Sequence, residues 1–320
     1  MKLLVLGGTE LLGPAIVAAA LARGHELTLF NRGRTNPDLF PELEKLIGDR
    51  EGDLAAFQGR RWDAVIDTCG YVPHVVRASA EAVDTGFYCF VSSISVYADL
   101  SGPRDEDGAL KPLDDDPIDE LTPSFSNYGA LKALCEDVVR EAFDDRAAVV
   151  RPGLIVGARD PSGRFSYWPH RVARGGEVLV PAPPERRVQF IDAGDLGEWL
   201  VGLCETGVGG TFNATNPGVP WGELLDSCRR VAASDCGLVW IPDEFLVEHE
   251  VGEWMELPMW IANPSRVGAN QAVVDRALEA GLRFSALDKI VRGALEAPTT
   301  EDAGLTPERE AALLAAWHAR

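Results

Sequence analysis

Tyr128 and Lys132 stand four residues apart, a spacing that places two side chains on the same face of an α-helix. A free tyrosine has a pKa of about 10 and is a poor acid near neutrality. A lysine ammonium beside the phenol would stabilise the phenolate, so we expect the pKa of Tyr128 to be lowered toward the range where it exchanges protons. Such a phenol suits the reduction of a carbonyl or the oxidation of an alcohol.

A glycine-rich turn stands at the start of the chain. Residues 2–13 read KLLVLGGTELLG, an apolar strand followed by a turn at Gly7 and Gly8 and by an opening helix that contains Gly13. Glycines at such a turn allow backbone N–H groups to approach a pyrophosphate at the helix N-terminus. The helix is predicted over residues 14–23, and a second apolar strand follows it. This order of elements is the one that a dinucleotide site requires.

A third motif, FVSSISVY at residues 90–97, is a hydrophobic strand that enters a small polar turn. In this order, the glycine turn, Ser-Ser-x-x-Val-Tyr and Tyr-x-x-x-Lys resemble the short-chain dehydrogenase/reductase superfamily, in its extended branch of NAD-dependent epimerases and dehydratases. The resemblance covers the N-terminal part of the chain well and the rest only in general character. It implies a catalytic triad in which Ser93 hydrogen-bonds the substrate oxygen, Tyr128 transfers the proton and Lys132 also holds the nicotinamide ribose.

The resemblance also implies which residues hold the dinucleotide. They lie on the glycine turn, at the end of the second strand, and in the loops that follow the later strands. The full set is Gly7, Gly8, Thr9, Glu10, Leu11, Leu12, Gly13, Asn31, Arg32, Arg34, Asp49, Cys69, Gly70, Lys132 and Pro152. Asp49 would lie near the adenine, and a simple turn aspartate is the alternative interpretation.

The end of the second strand bears on the choice between NAD and NADP. NAD-preferring folds place an acidic residue there, about 20 positions beyond the glycines, to bind the ribose hydroxyls. Here that place holds no carboxylate, and Arg32 and Arg34 could pair with a 2′-phosphate. We therefore prefer NADP over NAD. Glu10 would put negative charge near the phosphates, so NAD stays open as the alternative.

Several positions depart from the family pattern. Dehydratases of the family carry an Asp-Glu pair directly after the catalytic hydroxyl, where this chain has Ile94 and Ser95. Leu154 and Val188 stand where nucleotide-sugar epimerases place an asparagine and an arginine that contact the substrate. We therefore rank hydride transfer at the carbonyl of another small molecule first and NAD-dependent epimerisation of a sugar nucleotide second. A non-catalytic, dinucleotide-binding regulatory protein is third, since fold does not fix function.

Strands alternate with helices through the first part of the chain, which predicts an α/β fold with a doubly wound parallel sheet of the Rossmann type. A smaller C-terminal lobe would bind the substrate. We assign residues 1–156 to the NAD(P)-binding core, with 188–213 returning to it. Residues 157–187 and 214–320 form the substrate lobe and a terminal helix. The segment 99–124, rich in aspartate, proline and glycine, is predicted to be a surface insertion.

Composition narrows the partners. The formal net charge of −20 argues against nucleic acid and anionic membranes and leaves a small-molecule substrate, with a homodimer as a further expectation. The six cysteines lack Cys-x-x-Cys spacing and indicate buried, reduced thiols, and the scattered histidines predict no metal site. The chain enters its first strand at once and has no apolar run near the roughly 20 residues that span a bilayer, so we expect a cytoplasmic protein.

Overall fold

The computed structural model describes residues 1–113, 124, 126–297 and 303–320. Its strands are β1 Lys2–Leu6, β2 Glu26–Asn31, β3 Glu44–Ile47, β4 Arg61–Asp67, β5 Asp84–Val91, β6 Ala147–Pro152, β7 Leu154–Val156, β8 Glu177–Pro181, β9 Arg187–Val188, β10 Phe190–Asp192, β11 Gly210–Ala214, β12 Val219–Pro220, β13 Gly237–Ile241, β14 Glu253–Trp254 and β15 Leu257–Pro258. Its helices are α1 Leu12–Ala22, α2 Pro73–Ala82, α3 Tyr128–Phe143, α4 Tyr167–Ala173, α5 Ala193–Thr206, α6 Trp221–Ala232, α7 Asp243–Glu248, α8 Asp275–Glu279, α9 Leu287–Glu296 and α10 Pro307–His318.

One parallel sheet organises the first part of the chain. Within the described residues its strand order is β11-β6-β5-β4-β1-β2-β3, and every neighbouring pair in it is parallel. The order reverses between β1 and β4, which is the switch point where open α/β sheets bind their ligands. The predicted α/β fold with a doubly wound, Rossmann-type sheet is confirmed.

Helices cover both faces of this sheet because its strands are apolar on both sides. On one face α1 and α5 pack together over a core that includes Leu3, Val5 and Ile66. On the other face α2 and α3 pack against a core that includes Leu4 and Val65. The strand side chains alternate between the two cores, as the pleat requires.

A second apolar cluster lies beyond β7. Most of it comes from α4, α6, α9, α10 and the strand pair β8–β13, and its largest fully buried members are Trp168, Trp221 and Trp260. Ala277 of α8 and Leu282 belong instead to the core under α1 and α5. No helix of the described residues combines the length and the apolar character needed to cross a membrane.

The predicted insertion is described only in part, since residues 114–123 and 125 lie outside the described residues. Its first part is anchored to a later segment of the chain, because Arg104 donates hydrogen bonds to the carbonyls of Gly268 and Ala269. Glu106 is buried and accepts a hydrogen bond from the backbone N–H of Asn213 on β11. This part of the segment is therefore packed against residues 268–269 and against β11, although it was predicted to lie on the surface.

Candidate active site

The glycine turn follows β1 at the switch point of the sheet. Gly7 and Gly8 adopt φ values of 101° and 91°, which side chains with a Cβ rarely adopt. A Cβ on Gly13 would lie 2.4 Å from the carbonyl carbon of Gly8, so only glycine lets α1 begin this close to the turn. The backbone thus leaves an open cradle before a helix N-terminus, and the geometry fits a dinucleotide pyrophosphate.

Side chains from the end of β2 hold this turn in place. Asn31 Nδ2 donates to the Gly7 carbonyl at 3.1 Å, and Asn36 Nδ2 donates to the Thr9 carbonyl at 2.8 Å. The predicted cofactor residue Asn31 therefore supports the turn with its amide. Asn36 was missed by the sequence analysis, because nothing local marks a loop asparagine as the partner of a distant carbonyl.

The other predicted residues of the turn differ in exposure. Thr9, Leu12 and Gly13 are buried, whereas the Glu10 side chain is exposed. Leu11 has a φ of 42°, a value that costs energy for a residue with a side chain. Observed helix α1 begins at Leu12, two residues before the predicted start.

The residues predicted to bind the adenosine end lie further out. Arg32 and Arg34 are exposed, and neither forms an ion pair with any residue in the described part of the chain. Asp49 Oδ1 accepts a hydrogen bond from the Glu51 backbone N–H at 3.2 Å, which is the turn contact of the alternative interpretation. The two arginines are thus available to bind an anion. One carboxylate oxygen of Asp49 already accepts a hydrogen bond within its own turn.

A buried ion pair supports the loop after β4. Both terminal nitrogens of Arg50 donate to the Asp67 carboxylate at 2.8 Å, and Asp67 also accepts from Tyr88 Oη at 2.8 Å. Burial would raise the pKa of Asp67, but the facing Arg50 guanidinium and the hydrogen bonds outweigh it and hold the pKa below its usual value. Asp67 Oδ1 accepts the backbone N–H of Cys69 at 3.0 Å and so fixes the start of the loop.

Cys69 and Gly70 lie beside the glycine turn, as predicted. A Cβ on Gly7 would be 3.6 Å from Cys69 Sγ. Gly70 packs so tightly that an added Cβ would stand 2.5 Å from a ring carbon of Phe90. The Gly70 carbonyl accepts a hydrogen bond from Lys132 Nζ at 2.7 Å, which links the cofactor side of the site to helix α3.

Ser93 and Tyr128 meet at the end of β5. The Ser93 hydroxyl is near enough to the Tyr128 phenol to lower its pKa, and Ser93 Oγ accepts a hydrogen bond from the Ser95 backbone N–H at 3.1 Å. Tyr128 is the first residue of α3, and a Cβ on Gly129 would lie 2.1 Å from the Ser95 carbonyl oxygen. Glycine at position 129 therefore lets the helix start against the serine turn and brings both hydroxyls together.

Lys132 lies one turn further along α3 and is 2% exposed. Its ammonium donates to the carbonyls of Gly70 at 2.7 Å and Val91 at 2.6 Å. Burial lowers its pKa to about 8. The pKa of Tyr128 is raised, chiefly by burial, and the nearby Ser93 hydroxyl opposes the rise. The predicted lowering of the Tyr128 pKa by Lys132 is therefore wrong, because the ammonium is directed at two carbonyls that the sequence spacing does not reveal.

A second buried network lies under the serine turn. Ser92 Oγ donates to Glu136 Oε1 at 2.6 Å, and Arg151 donates to both oxygens of Glu136 at 2.9 and 2.7 Å. Arg151 also donates to Tyr97 Oη, which in turn donates to Asn213 Oδ1 at 2.7 Å. This network joins β5, β6, β11 and α3, and the sequence analysis did not identify it.

Pro152 ends β6, and the Gly153 that follows lies close to Thr215 and Ile94, beside the serine turn. Leu154 and Val188, which replace the family's substrate-contacting residues, are buried at 7% and 0% exposure. A cavity of about 550 Å³ opens between the segments 186–189, 217, 243, 259–261 and 267–272. Its lining includes the apolar residues Pro217, Met259, Ile261 and Val267 and the polar residues Arg186, Arg187, Asp243, Asn270 and Gln271.

Comparisons with known proteins agree with this arrangement. A sequence model of the NAD dependent epimerase/dehydratase family matches residues 78–215. The 2'-dehydrokanamycin reductase of Streptomyces kanamyceticus is 28% identical over 270 residues, which cover 78% of this chain and 71% of the relative. The 2-alkyl-3-oxoalkanoate reductase of Stenotrophomonas maltophilia is 31% identical over 183 residues, covering 50% of this chain and 52% of the relative.

Among solved structures, the fold is similar to UDP-glucuronic acid 4-epimerase from Bacillus cereus in complex with NAD. The TM-score is 0.63 at 15% identity, and the match covers 92% of this chain and 97% of the other. Together with the parallel sheet and its glycine turn, these matches confirm the resemblance drawn from the motifs. Residues 78–215 are thus similar to the NAD dependent epimerase/dehydratase family, and the similarity to two reductases agrees with an NAD(P)-dependent enzyme of the extended short-chain dehydrogenase/reductase type.

Proposed function

We propose that this enzyme reduces the carbonyl of a small molecule by hydride transfer and that Ser93, Tyr128 and Lys132 serve the reaction. The observation that carries the proposal is the packing of the first turn of α3 against the serine turn, which brings the Tyr128 phenol near enough to the Ser93 hydroxyl for that hydroxyl to lower its pKa. Two hydroxyls held this close can reach the same substrate oxygen. One can polarise the carbonyl while the other gives it a proton.

The raised pKa of Tyr128 suits the reductive direction. Burial keeps the phenol protonated at neutral pH. The oxygen of a carbonyl that accepts hydride becomes an alkoxide, which is far more basic than a phenolate and takes the proton. Ser93 would donate a hydrogen bond to that oxygen as its charge grows.

The cofactor would lie along residues that the structure already holds in place. The glycine turn would receive its pyrophosphate, Cys69 and Gly70 would line its pyrophosphate and ribose side, and Lys132 would hold the nicotinamide ribose. Pro152 would also contact the cofactor. The bound nicotinamide would supply the hydride. We propose a preference for NADP, supported by the exposed, unpaired Arg32 and Arg34 within the described residues.

The relatives support reduction over epimerisation, since both are named as reductases. The test is turnover of NADPH or NADH with a 2-alkyl-3-oxoalkanoate and with a panel of cyclic and acyclic ketones. Tyr128→Phe should lower kcat by about 100-fold or more, because a general acid contributes about that much. Coenzyme affinity should stay close to that of the wild type. Tyr167→Phe, in the second lobe, is the matched control and should keep its activity.

Full turnover by Tyr128→Phe would refute the assignment of the proton donor. An epimerase is the second candidate, favoured by the fold match to an epimerase that binds NAD. Epimerases regenerate their cofactor in each cycle and tend to retain it. Denaturing the purified protein and identifying the released nucleotide by mass distinguishes the two. Stoichiometric NAD would favour the epimerase, and a protein that binds neither coenzyme would favour a regulatory role.

A further inference from the structure

Tyr71 is a large aromatic residue held at the edge of the site, two residues before α2. Its side chain is 44% exposed, yet the loop that carries it is fixed. Thr68 Oγ1 donates to the Leu6 carbonyl at 2.8 Å, and Asp67 and Lys132 hold the next two residues through their backbone atoms.

The ring of Tyr71 forms the outer wall of a cage around the Lys132 ammonium. Lys132 Nζ lies 4.3 Å from the ring centroid of Phe90, which is fully buried, and 5.4 Å from that of Tyr71. The carbonyls of Gly70 and Val91 close two further sides. Aromatic faces attract cations, and here the pair also separates the ammonium from water.

The same ring borders the proton donor. The ring centroids of Tyr71 and Tyr128 are 6.4 Å apart, and their planes are inclined by 41°. Among the described residues, the Tyr71 hydroxyl has no hydrogen-bond partner. The contact with Lys132 is thus made by the ring and does not depend on the hydroxyl.

We propose that Tyr71 is a positioning residue, an aromatic cover that keeps water from the Lys132 ammonium and so holds it against its two carbonyls. This proposal rests on the proposed function in one respect only, the role of Lys132 in catalysis. The cover itself is a property of this chain without substrate or coenzyme. Other groups near Lys132 would persist after truncation of Tyr71. They are Arg50, Asp67, Cys69, Tyr128, Cys135 and Glu136.

The test measures Lys132 directly. The protein without coenzyme is treated with formaldehyde and a borane reductant at a series of pH values, and methylation of each lysine is followed by peptide mass spectrometry. Only the neutral amine reacts, so the midpoint of the rate against pH reports the pKa, and the plateau reports access. In the wild type the midpoint for Lys132 should lie near the pKa of about 8, with a low plateau.

Tyr71→Ala and Tyr71→Ser should raise the plateau severalfold and move the midpoint upward by about one to two pH units, toward the usual lysine value. Tyr71→Phe keeps the ring and should match the wild type. The exposed Lys2 and Lys289 should react alike in all four proteins, and unfolding curves identify any truncation that fails to fold. Because the truncated side chain is partly exposed, two different truncations are expected to yield at least one folded variant.

Unchanged plateau and midpoint for Lys132 in a folded truncation would overturn the proposal. Equal changes in Tyr71→Phe would also overturn it, because they would assign the effect to the hydroxyl. Neither result would affect the reductase assignment. Conversely, full turnover by Tyr128→Phe would remove the proposed function and leave the expected methylation of Lys132 as stated.

Discussion

Replacing Arg50 by methionine should destabilise the protein strongly, because it leaves the Asp67 carboxylate buried without its cation. Arg50 is 8% exposed and Asp67 fully buried, and two hydrogen bonds of 2.8 Å join them. Loss of one partner of a buried ion pair costs about 3–5 kcal/mol. For a chain of this size that cost lowers Tm by about 5–7 °C.

Most of the loss in the free energy of unfolding should come from the unpaired, buried Asp67 carboxylate and less from the missing Arg50 contacts. Adding Asp67→Asn to Arg50→Met removes the buried charge and retains an acceptor for the Cys69 N–H. The double variant should therefore lose less than half of what Arg50→Met loses. Urea unfolding followed by tryptophan fluorescence measures each free energy. The exposed pair of Arg77 and Glu141 provides the control, and Arg77→Met should cost less than about 1 kcal/mol.

The pH dependence gives a second check with a definite sign. In the wild type the pKa of Asp67 is lowered, so its contribution to stability is present above the unfolded pKa and is lost only as pH falls through the lower, folded value. In Arg50→Met the guanidinium is gone, and burial, opposed only by the hydrogen bonds from Tyr88 and the Cys69 backbone, raises that pKa. The gap in stability between the two proteins should therefore narrow as pH falls from about 8 to about 5. Additive losses in the double variant, or a gap that widens in acid, would refute this reasoning.

In the wild type the folded pKa of Lys132 is about 8, below the usual lysine value, so the unfolded state binds more protons between these two pH values and the free energy of unfolding rises with pH there. Lys132→Met should abolish this rise. Across that range the wild type should therefore gain up to about 3 kcal/mol of stability relative to the variant. Urea unfolding at several pH values measures this, and parallel curves would contradict it. Replacing both Arg32 and Arg34 by glutamine should weaken NADPH binding by tenfold or more, at about 1.4 kcal/mol per factor of ten, and leave NADH binding within about twofold. Equal losses for both coenzymes, measured by fluorescence titration, would show that neither guanidinium reads the 2′-phosphate.

The parts of the site that the sequence predicted are those encoded over short distances. The strand, glycine turn and helix at residues 2–13 are predictable because neighbouring residues determine them. The positive φ values of Gly7 and Gly8 and the close packing of Gly13 against Gly8 all lie within this short segment. The spacing of Tyr128 and Lys132 on one helix is equally local. The alternation of strands and helices predicted the doubly wound sheet because crossover connections of this kind have one usual hand.

The pKa values and ion pairs of the site could not be predicted from the sequence in the same way. Spacing along α3 suggested that Lys132 would act on Tyr128, but the direction of the ammonium depends on Gly70 in the loop after β4 and on Val91 at the end of β5. Burial decides the pKa of both groups, and burial is a property of the folded chain. Arg50 and Asp67 are likewise paired across the sheet, and neither residue lies in a motif that marks it.

The net charge of the chain also says little about the local field at the site. A net charge of −20 is a property of the whole chain and affects its long-range association with charged partners. At the carboxyl edge of the sheet, Arg50 and Arg151 are each neutralised by a buried carboxylate. Within the described residues Lys132 has no carboxylate within ion-pair distance, only carbonyl dipoles and two rings, and its pKa of about 8 expresses that cost. A buried cation left without a counter-charge, beside two hydroxyls and a glycine cradle, is the kind of unfavourable arrangement that folds retain where a ligand completes it.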